Sequence, residues 1–212
     1  MLGDVLLISE KHQTAAKKIL EKVLKEKRDK YIVAISGESG SGKTELAHVL
    51  AKMLRKEGIF AKPIHIDNYY KIHPLDRTEW RKNHGIENVV GLNEYDWETI
   101  YKNIDDFKNN KKSTMPCIDL VTEQVDSLTT DFDGIDMLII DGLYAINTEG
   151  VDLGVFIELT YHDTKKAQIV RGKEPQNEYR MKVLEREHQV VQSIKPKARI
   201  LVTIDYDVVD DY

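Results

Sequence analysis

Residues 37–44 read Gly37-Glu38-Ser39-Gly40-Ser41-Gly42-Lys43-Thr44. This is the spelling G-x-x-x-x-G-K-[ST], and no other stretch constrains the chain so tightly. Small residues let successive backbone N–H groups turn toward one point and surround phosphate oxygens. A helix opening at Gly42 adds the partial positive charge of its first turn. Lys43 is then placed to reach the β- and γ-phosphates of a nucleoside triphosphate, and the Thr44 hydroxyl to ligate Mg²⁺. The flanks suit such a loop. Tyr31-Ile32-Val33-Ala34-Ile35 before it is a short, apolar, β-branched run, read as a buried strand. After it, Leu46, Val49, Leu50, Met53 and Leu54 line one face of a helix that Gly58 ends.

The rest of the chain alternates in the same manner. Residues 59–66 predict a second strand, in which Pro63 is unsuited to a central position. Residues 71–95 are polar and aromatic without periodicity, the signature of a functional excursion rather than core. Trp97, Ile100, Tyr101, Ile104 and Phe107 mark a further amphipathic helix. The apolar runs 137–140 and 155–159 predict strands, 163–172 and 177–193 helices, and 199–203 a last strand. Such alternation predicts a three-layer α/β/α fold with a mostly parallel central sheet and a small lid. Ahead of it, Ala16, Ile19, Leu20, Val23 and Leu24 recur at helical spacing. Residues 1–30 are therefore expected as a helical preamble packed on a single domain formed by 31–212.

Bulk properties exclude several classes. The 212 residues, 41% hydrophobic and 32% charged, suit one α/β domain. A net charge of −5 argues against a general nucleic-acid partner. A single cysteine, Cys117, forbids a disulfide within the chain and fits a reducing cytoplasm. No basic start followed by an apolar run predicts a signal peptide, and no run is long enough to span a membrane. Self-association stays open. Asp131-Phe132-Asp133-Gly134 spells D-x-x-G, but no N-K-x-D follows to read guanine, so the tetrapeptide reads as a turn.

Two carboxylates end apolar strands. Asp141 follows residues 137–140, and an acid at the C-terminal end of a parallel strand faces the ligand side of the sheet, where it can hold Mg²⁺ directly or through water. Asp141-Gly142 is also a turn dipeptide. Asp67 ends Ile64-His65-Ile66 on the same side. A hydroxyl attacking a γ-phosphate benefits from a carboxylate that orients it and accepts its proton, and Asp67 suits that role, with a share in the metal site. The alternative is a helix N-cap.

With these points fixed, the chain resembles the uridine kinase and phosphoribulokinase group of P-loop kinases from about Tyr31 to Val208. Ile66-Asp67-Asn68-Tyr69-Tyr70-Lys71 is similar to the group's strand-end segment, which implies Asp67 as the catalytic base. Leu138-Ile139-Ile140-Asp141-Gly142-Leu143 is similar to its apolar strand ending in acid-glycine, where the acid is usually glutamate. Residues 165–171 match an arginine-bearing helix leading into a lid over the nucleotide. This implies Arg171 as a cation brought to the transferring phosphoryl group, with Gly172 as a hinge beside Lys173. Ser193-Ile194-Lys195-Pro196 resembles a lysine-proline step late in the fold. A uridine kinase would place tyrosine where Ile118 stands, histidine at Glu123 and arginine at Val125, and Val90-Gly91-Leu92 replaces an aspartate-histidine-proline motif. The resemblance thus implies the chemistry without naming the acceptor.

Tyr69, Tyr70, Asp119 and Glu123 are candidate acceptor contacts. Arg77 and Arg81, with Lys82 and His84, could bind an anionic acceptor, or form a solvated face among Asp76, Glu79 and Glu87. The expected activity is Mg²⁺-assisted transfer of the ATP γ-phosphate to a hydroxyl of a small molecule, with Lys43 and Arg171 neutralising charge and Asp67 as base. Two alternatives stand: a kinase for a nucleoside monophosphate or cofactor precursor, whose acceptor is a phosphate, and a regulatory ATP-binding module.

Overall fold

The apolar runs form the middle of a sheet because they are buried on both faces. The computed structural model describes residues 2–171 and 177–210, apart from the side chains of Ala167 and Arg171. Helix α1 (Glu10–Glu26) precedes strand β1 (Tyr31–Gly37), and α2 (Lys43–Lys56) leads to β2 (Ala61–His65). Then come α3 (Pro74–His84), the single turn α4 (Ile86–Val89), α5 (Trp97–Lys108), β3 (Lys112–Asp119), β4 (Gln124–Asp131) and β5 (Met137–Asp141). The chain ends with β6 (Leu153–Ile157), α6 (Lys165–Arg171), α7 (Glu178–Ile194), β7 (Ile200–Val202) and β8 (Val208–Asp210).

The six-stranded sheet runs β2-β5-β1-β6-β7-β8, parallel except for β8, which pairs antiparallel with β7. Every residue of β1, β5 and β6 is buried. Alternate residues serve two cores. Ile32, Ala34, Leu138, Ile140 and Phe156 pack with Tyr95, Phe107, Tyr144 and Val191 on one face. Val33, Ile35, Ile139, Val155 and Ile157 pack with Ile19, Val23, Leu46 and Leu50 of α1 and α2 on the other. These are the three expected layers. β2 is an edge strand, where the missing N–H of Pro63 costs no ladder bond.

Residues 71–95 depart from the expectation of an excursion outside the core. They carry α3, α4 and a 3₁₀ turn at Leu92–Glu94, and they bury Arg81, Val90, Glu94 and Tyr95. The β3–β4 hairpin, not anticipated as a separate sheet, stands apart from the main sheet. Leu2 docks on it through Leu2 N–H to Ile118 O and Leu120 N–H to Leu2 O. No helix among the described residues is long and apolar enough to cross a membrane.

Candidate active site

The phosphate loop joins β1 to α2 at the sheet's C-terminal edge, where β1 lies between β5 and β6. Gly37, Gly40 and Gly42 take φ of +153°, +78° and +94°, conformations that disfavour a side chain. The loop's outer carbonyls are anchored: Thr164 Oγ1 donates to Ser39 O (2.6 Å) and Tyr206 Oη to Ser41 O (2.5 Å). Peptide planarity then points the N–H groups of Gly40 and Gly42 away from those anchors. Lys43 Nζ donates to Glu38 O at 2.7 Å, and Ser41 Oγ is buried without a hydrogen-bond partner among the described residues. Glu38 differs from its neighbours. Its buried carboxylate accepts from Tyr161 N–H (2.8 Å) and Gln192 Nε2 (2.8 Å) and meets His188 Nδ1 at 2.7 Å. Its side chain therefore ties the loop to α7 while its backbone belongs to the cradle.

β2 and β5 set Asp141 beside His65, two residues before Asp67. Their register pairs His65 with Asp141, and β1 pairs Ile35 with Asp141. Asp141 is 2% exposed; Oδ1 lies 2.7 Å from His65 Nδ1, and Oδ2 has no hydrogen-bond partner among the described residues. A buried carboxylate oxygen left that way is unfavourable unless a cation or proton meets it, so the residues present fit a divalent ion. Among the described residues no three His, Cys, Asp or Glu side chains converge on a metal position. That suits an ion held by one or two protein oxygens together with substrate phosphates, the usual arrangement for Mg²⁺. Gly142 follows at φ +149°, and a Cβ there would collide with Ile66, so the glycine lets the Asp67 segment lie close.

Asp67 sits in a 3₁₀ turn (Ile66–Tyr69) directly after β2. Tyr95 Oη lies 3.3 Å from Asp67 Oδ1 and 2.7 Å from Tyr70 Oη. One proton cannot serve both contacts, so with Asp67 ionised Tyr70 donates to Tyr95 and Tyr95 to Asp67. Burial pushes both phenols up from their ordinary pKa, so both remain protonated donors. The Arg77 guanidinium stacks 3.5 Å over the Tyr70 ring, and its Nε and Nη2 are buried without hydrogen-bond partners among the described residues.

The other acceptor candidates scatter. The Tyr69 hydroxyl donates to Asn103 Oδ1 (2.9 Å) in the core. Arg81 spends Nε and Nη2 on Glu94 (2.6 and 3.0 Å). Asp119 Oδ1 accepts from Val121 N–H and Thr122 N–H in the hairpin turn, contacts that hold its carboxyl below its ordinary pKa. Glu123 is exposed at the tip with φ +57°. No hydrogen bond joins Asp119 or Glu123 to the Asp67 group among the described residues. The Arg171 side chain, Gly172 and Lys173, expected as the cation and hinge of a lid, lie outside the described residues. Sequence reasoning gave no role to His65, Thr164 or Tyr206, and noted Tyr95 only as part of Tyr95-Asp96, similar to the end of a family motif.

The model of the phosphoribulokinase / uridine kinase family matches residues 32–196. The uridine kinase of Ureaplasma parvum serovar 3 is 27% identical over 150 residues, covering 69% of this chain and 70% of its own. That of Staphylococcus aureus strain JH9 is 29% identical over 122 residues, covering 56% and 55%. A possible uridine kinase from Bacillus stearothermophilus superposes with a TM-score of 0.66 at 20% identity, over 89% of this chain and 97% of that one. Phosphoribulokinase from Rhodobacter spheroides does so at 0.62 and 13% identity, over 82% and 70%. These two structures share the fold.

Proposed function

The chain belongs to the phosphoribulokinase and uridine kinase family, a group of ATP-dependent small-molecule kinases, and from that premise we propose that it phosphorylates a hydroxyl on an acceptor that carries its own anionic group. One observation carries the choice: the Arg77 guanidinium over the Tyr70 ring, which reaches Asp67 through Tyr95, keeps two buried nitrogens without hydrogen-bond partners among the described residues. A carboxylate or phosphate on the acceptor would satisfy them in a planar pair of charge-assisted bonds. Asp67 orients the acceptor hydroxyl and takes its proton, with Tyr95 holding the carboxylate. Lys43 and the loop amides neutralise the transferred phosphoryl group. Thr44 and Asp141 would hold Mg²⁺, which would supply further charge neutralisation at the phosphates. Arg171 is the cation brought to the phosphoryl group in this reading, as the resemblance implies. The matched relatives are uridine kinases, but Ile118, Glu123 and Val125 stand where the resemblance expects a nucleoside to be read.

ADP release with Mg²⁺-ATP, measured across nucleosides, sugar phosphates and hydroxy acids, tests the proposal. An anionic alcohol should be the best acceptor, and Arg77→Gln should raise its KM by roughly 10- to 100-fold with the KM for ATP little changed. Asp67→Asn should lower kcat by about 10²- to 10⁴-fold. A neutral nucleoside as best acceptor would overturn the anionic class. Undiminished turnover of Asp67→Asn on a phosphate acceptor would favour monophosphate kinase chemistry, and ATP binding with no acceptor turned over would favour a regulatory module.

A further inference from the structure

Two imidazoles lie behind the metal-facing end of this site, and the phosphoryl-transfer chemistry leaves them unused. His65 is the last residue of β2 and pairs in register with Asp141, the last of β5, so both side chains leave the sheet on the same face. The His65 Nδ1–Asp141 Oδ1 distance is 2.7 Å. An ionised carboxylate only accepts hydrogen bonds, so Nδ1 carries the proton in this contact. The His48 ring, one turn into α2, stacks on His65 with centroids 5.3 Å apart and planes 10° from parallel. His48 Nδ1 is in turn 2.8 Å from the carbonyl oxygen of Thr44. A continuous chain of contacts thus runs Thr44–His48–His65–Asp141, joining from behind the two residues assigned to Mg²⁺.

We infer that His65 is a positioning residue that fixes the direction of the Asp141 carboxylate, with His48 bracing its ring; the inference rests on the reading of Asp141 as a metal-holding residue. An aspartate can present either oxygen and turn about two side-chain bonds. With Oδ1 engaged by His65, one direction remains for Oδ2, the buried oxygen without a hydrogen-bond partner among the described residues. Hydrogen bonds behind a ligating carboxylate orient it and raise its affinity, and such partners contribute strongly to metal binding. The His48 ring covers one face of the His65 ring and restricts its rotation away from Asp141 on that side, while His65 also borders a cleft of about 280 Å³ with His48, Asn68 and Cys117.

Mn²⁺ binding by the full chain in the presence of ADP, followed by electron paramagnetic resonance, gives a readout independent of turnover. Unfolding midpoints without ligand are recorded alongside. His65→Ala and the volume-keeping His65→Phe should each weaken Mn²⁺ binding by about 10- to 100-fold, whereas His65→Asn, whose amide can donate near the place of Nδ1, should stay within about 3-fold of wild type. Asp141→Asn serves as the control for the underlying reading. If it weakens Mn²⁺ binding and neither donor-free His65 variant does, the positioning role is overturned and the metal role of Asp141 stands. If Asp141→Asn leaves binding unchanged, the metal reading itself falls and takes the inference with it. Equal weakening in all three His65 variants, in step with their unfolding midpoints, would reduce His65 to a packing residue and overturn the inference. Should His65→Ala not fold, His65→Phe against His65→Asn carries the same comparison.

Discussion

Tyr95 shows what a single hydroxyl contributes when its ring is already fixed. The ring is fully buried, tilted against Tyr70 with centroids 4.3 Å apart and edge-on to Tyr144 at 5.5 Å. Tyr95→Phe keeps that packing and removes both the donor to Asp67 and the acceptor of Tyr70. The fold should lose about 1–3 kcal/mol, because the buried Tyr70 hydroxyl is left unsatisfied. The larger effect should fall on kcat, because Asp67, the proposed base, loses the group that orients it, while the KM for ATP stays near wild type. Steady-state kinetics beside a urea denaturation curve separates the two; an unchanged kcat would show that Tyr95 is only core. The positions of Asp141, at the end of β5, and Asp67, in the turn just past β2, were legible in the sequence because each follows an apolar run. Tyr95 and His65 were not, since their roles arise from contacts 28 and 76 residues away along the chain. Arg77 was visible only as one of a basic cluster, and two buried nitrogens without hydrogen-bond partners among the described residues distinguish it from Arg81, which is committed to Glu94.

At the scale of elements, α3 was hidden for a physical reason. Its only buried residue is Arg81, so it has no apolar stripe to read. What docks it is charge: Arg81 grips Glu94, lies 3.7 Å from Glu187 of α7, and Glu187 also meets Arg180 at 3.3 Å. Removing one partner of such a pair leaves a charge buried without compensation, so Arg81→Met should cost about 3–5 kcal/mol. Arg81→Met combined with Glu94→Gln should cost clearly less than the sum of the single changes, a coupling that a double-mutant cycle measures. The β3–β4 hairpin was hidden in another way: nearly every residue of β4 is exposed, which erases the alternation that marks a strand. Helix α1 was legible by its spacing, and its C-terminal end carries a pH-sensitive tether. Arg199 binds both Glu26 oxygens at 3.0 Å and Lys22 adds a contact at 3.1 Å. The Arg199 bonds first, then Lys22, hold the Glu26 carboxyl at about 2, below its ordinary 4.5. A folded-state pKa below the unfolded one stabilises fully above the unfolded value and fades as pH falls toward the folded value. Being near the surface, the pair is worth only about 0.5–1 kcal/mol. The stability difference between wild type and Glu26→Gln should therefore be constant near neutrality and shrink between pH 4.5 and about 2, as read from urea midpoints.

For the whole molecule, alternation along the sequence announced a covered parallel sheet, but not the order of its strands. That order follows from which strand pairs across long separations, and it places the phosphate loop between the ends of β5 and β6. The short β8, half-exposed and antiparallel, carried no pattern of its own. The two cores also differ in what they can lose. α1 contributes Ala15, Ala16, Ile19 and Val23, each fully buried, to the core it shares with α2 and β7. Burying large side chains such as Ile19 and Val23 is worth about 1.5–3 kcal/mol each, against a total stability of about 5–15 kcal/mol for a domain. We propose that the preamble is therefore part of the kinase domain rather than an appendage, and a chain lacking residues 2–29 should lose its cooperative unfolding transition. The hairpin tip has the opposite character: Val121 is 79% exposed, and Leu120 meets the rest of the chain through a backbone bond to Leu2. Exchanging residues 120–123 for a two-residue Asn-Gly turn should leave the thermal unfolding midpoint within a few degrees of wild type. The same exchange removes Glu123, so its acceptor KM reports whether the tip reaches the substrate. A raised KM at unchanged midpoint would give the hairpin a part in acceptor recognition, and an unchanged KM would leave that task to the Asp67 and Arg77 side of the site.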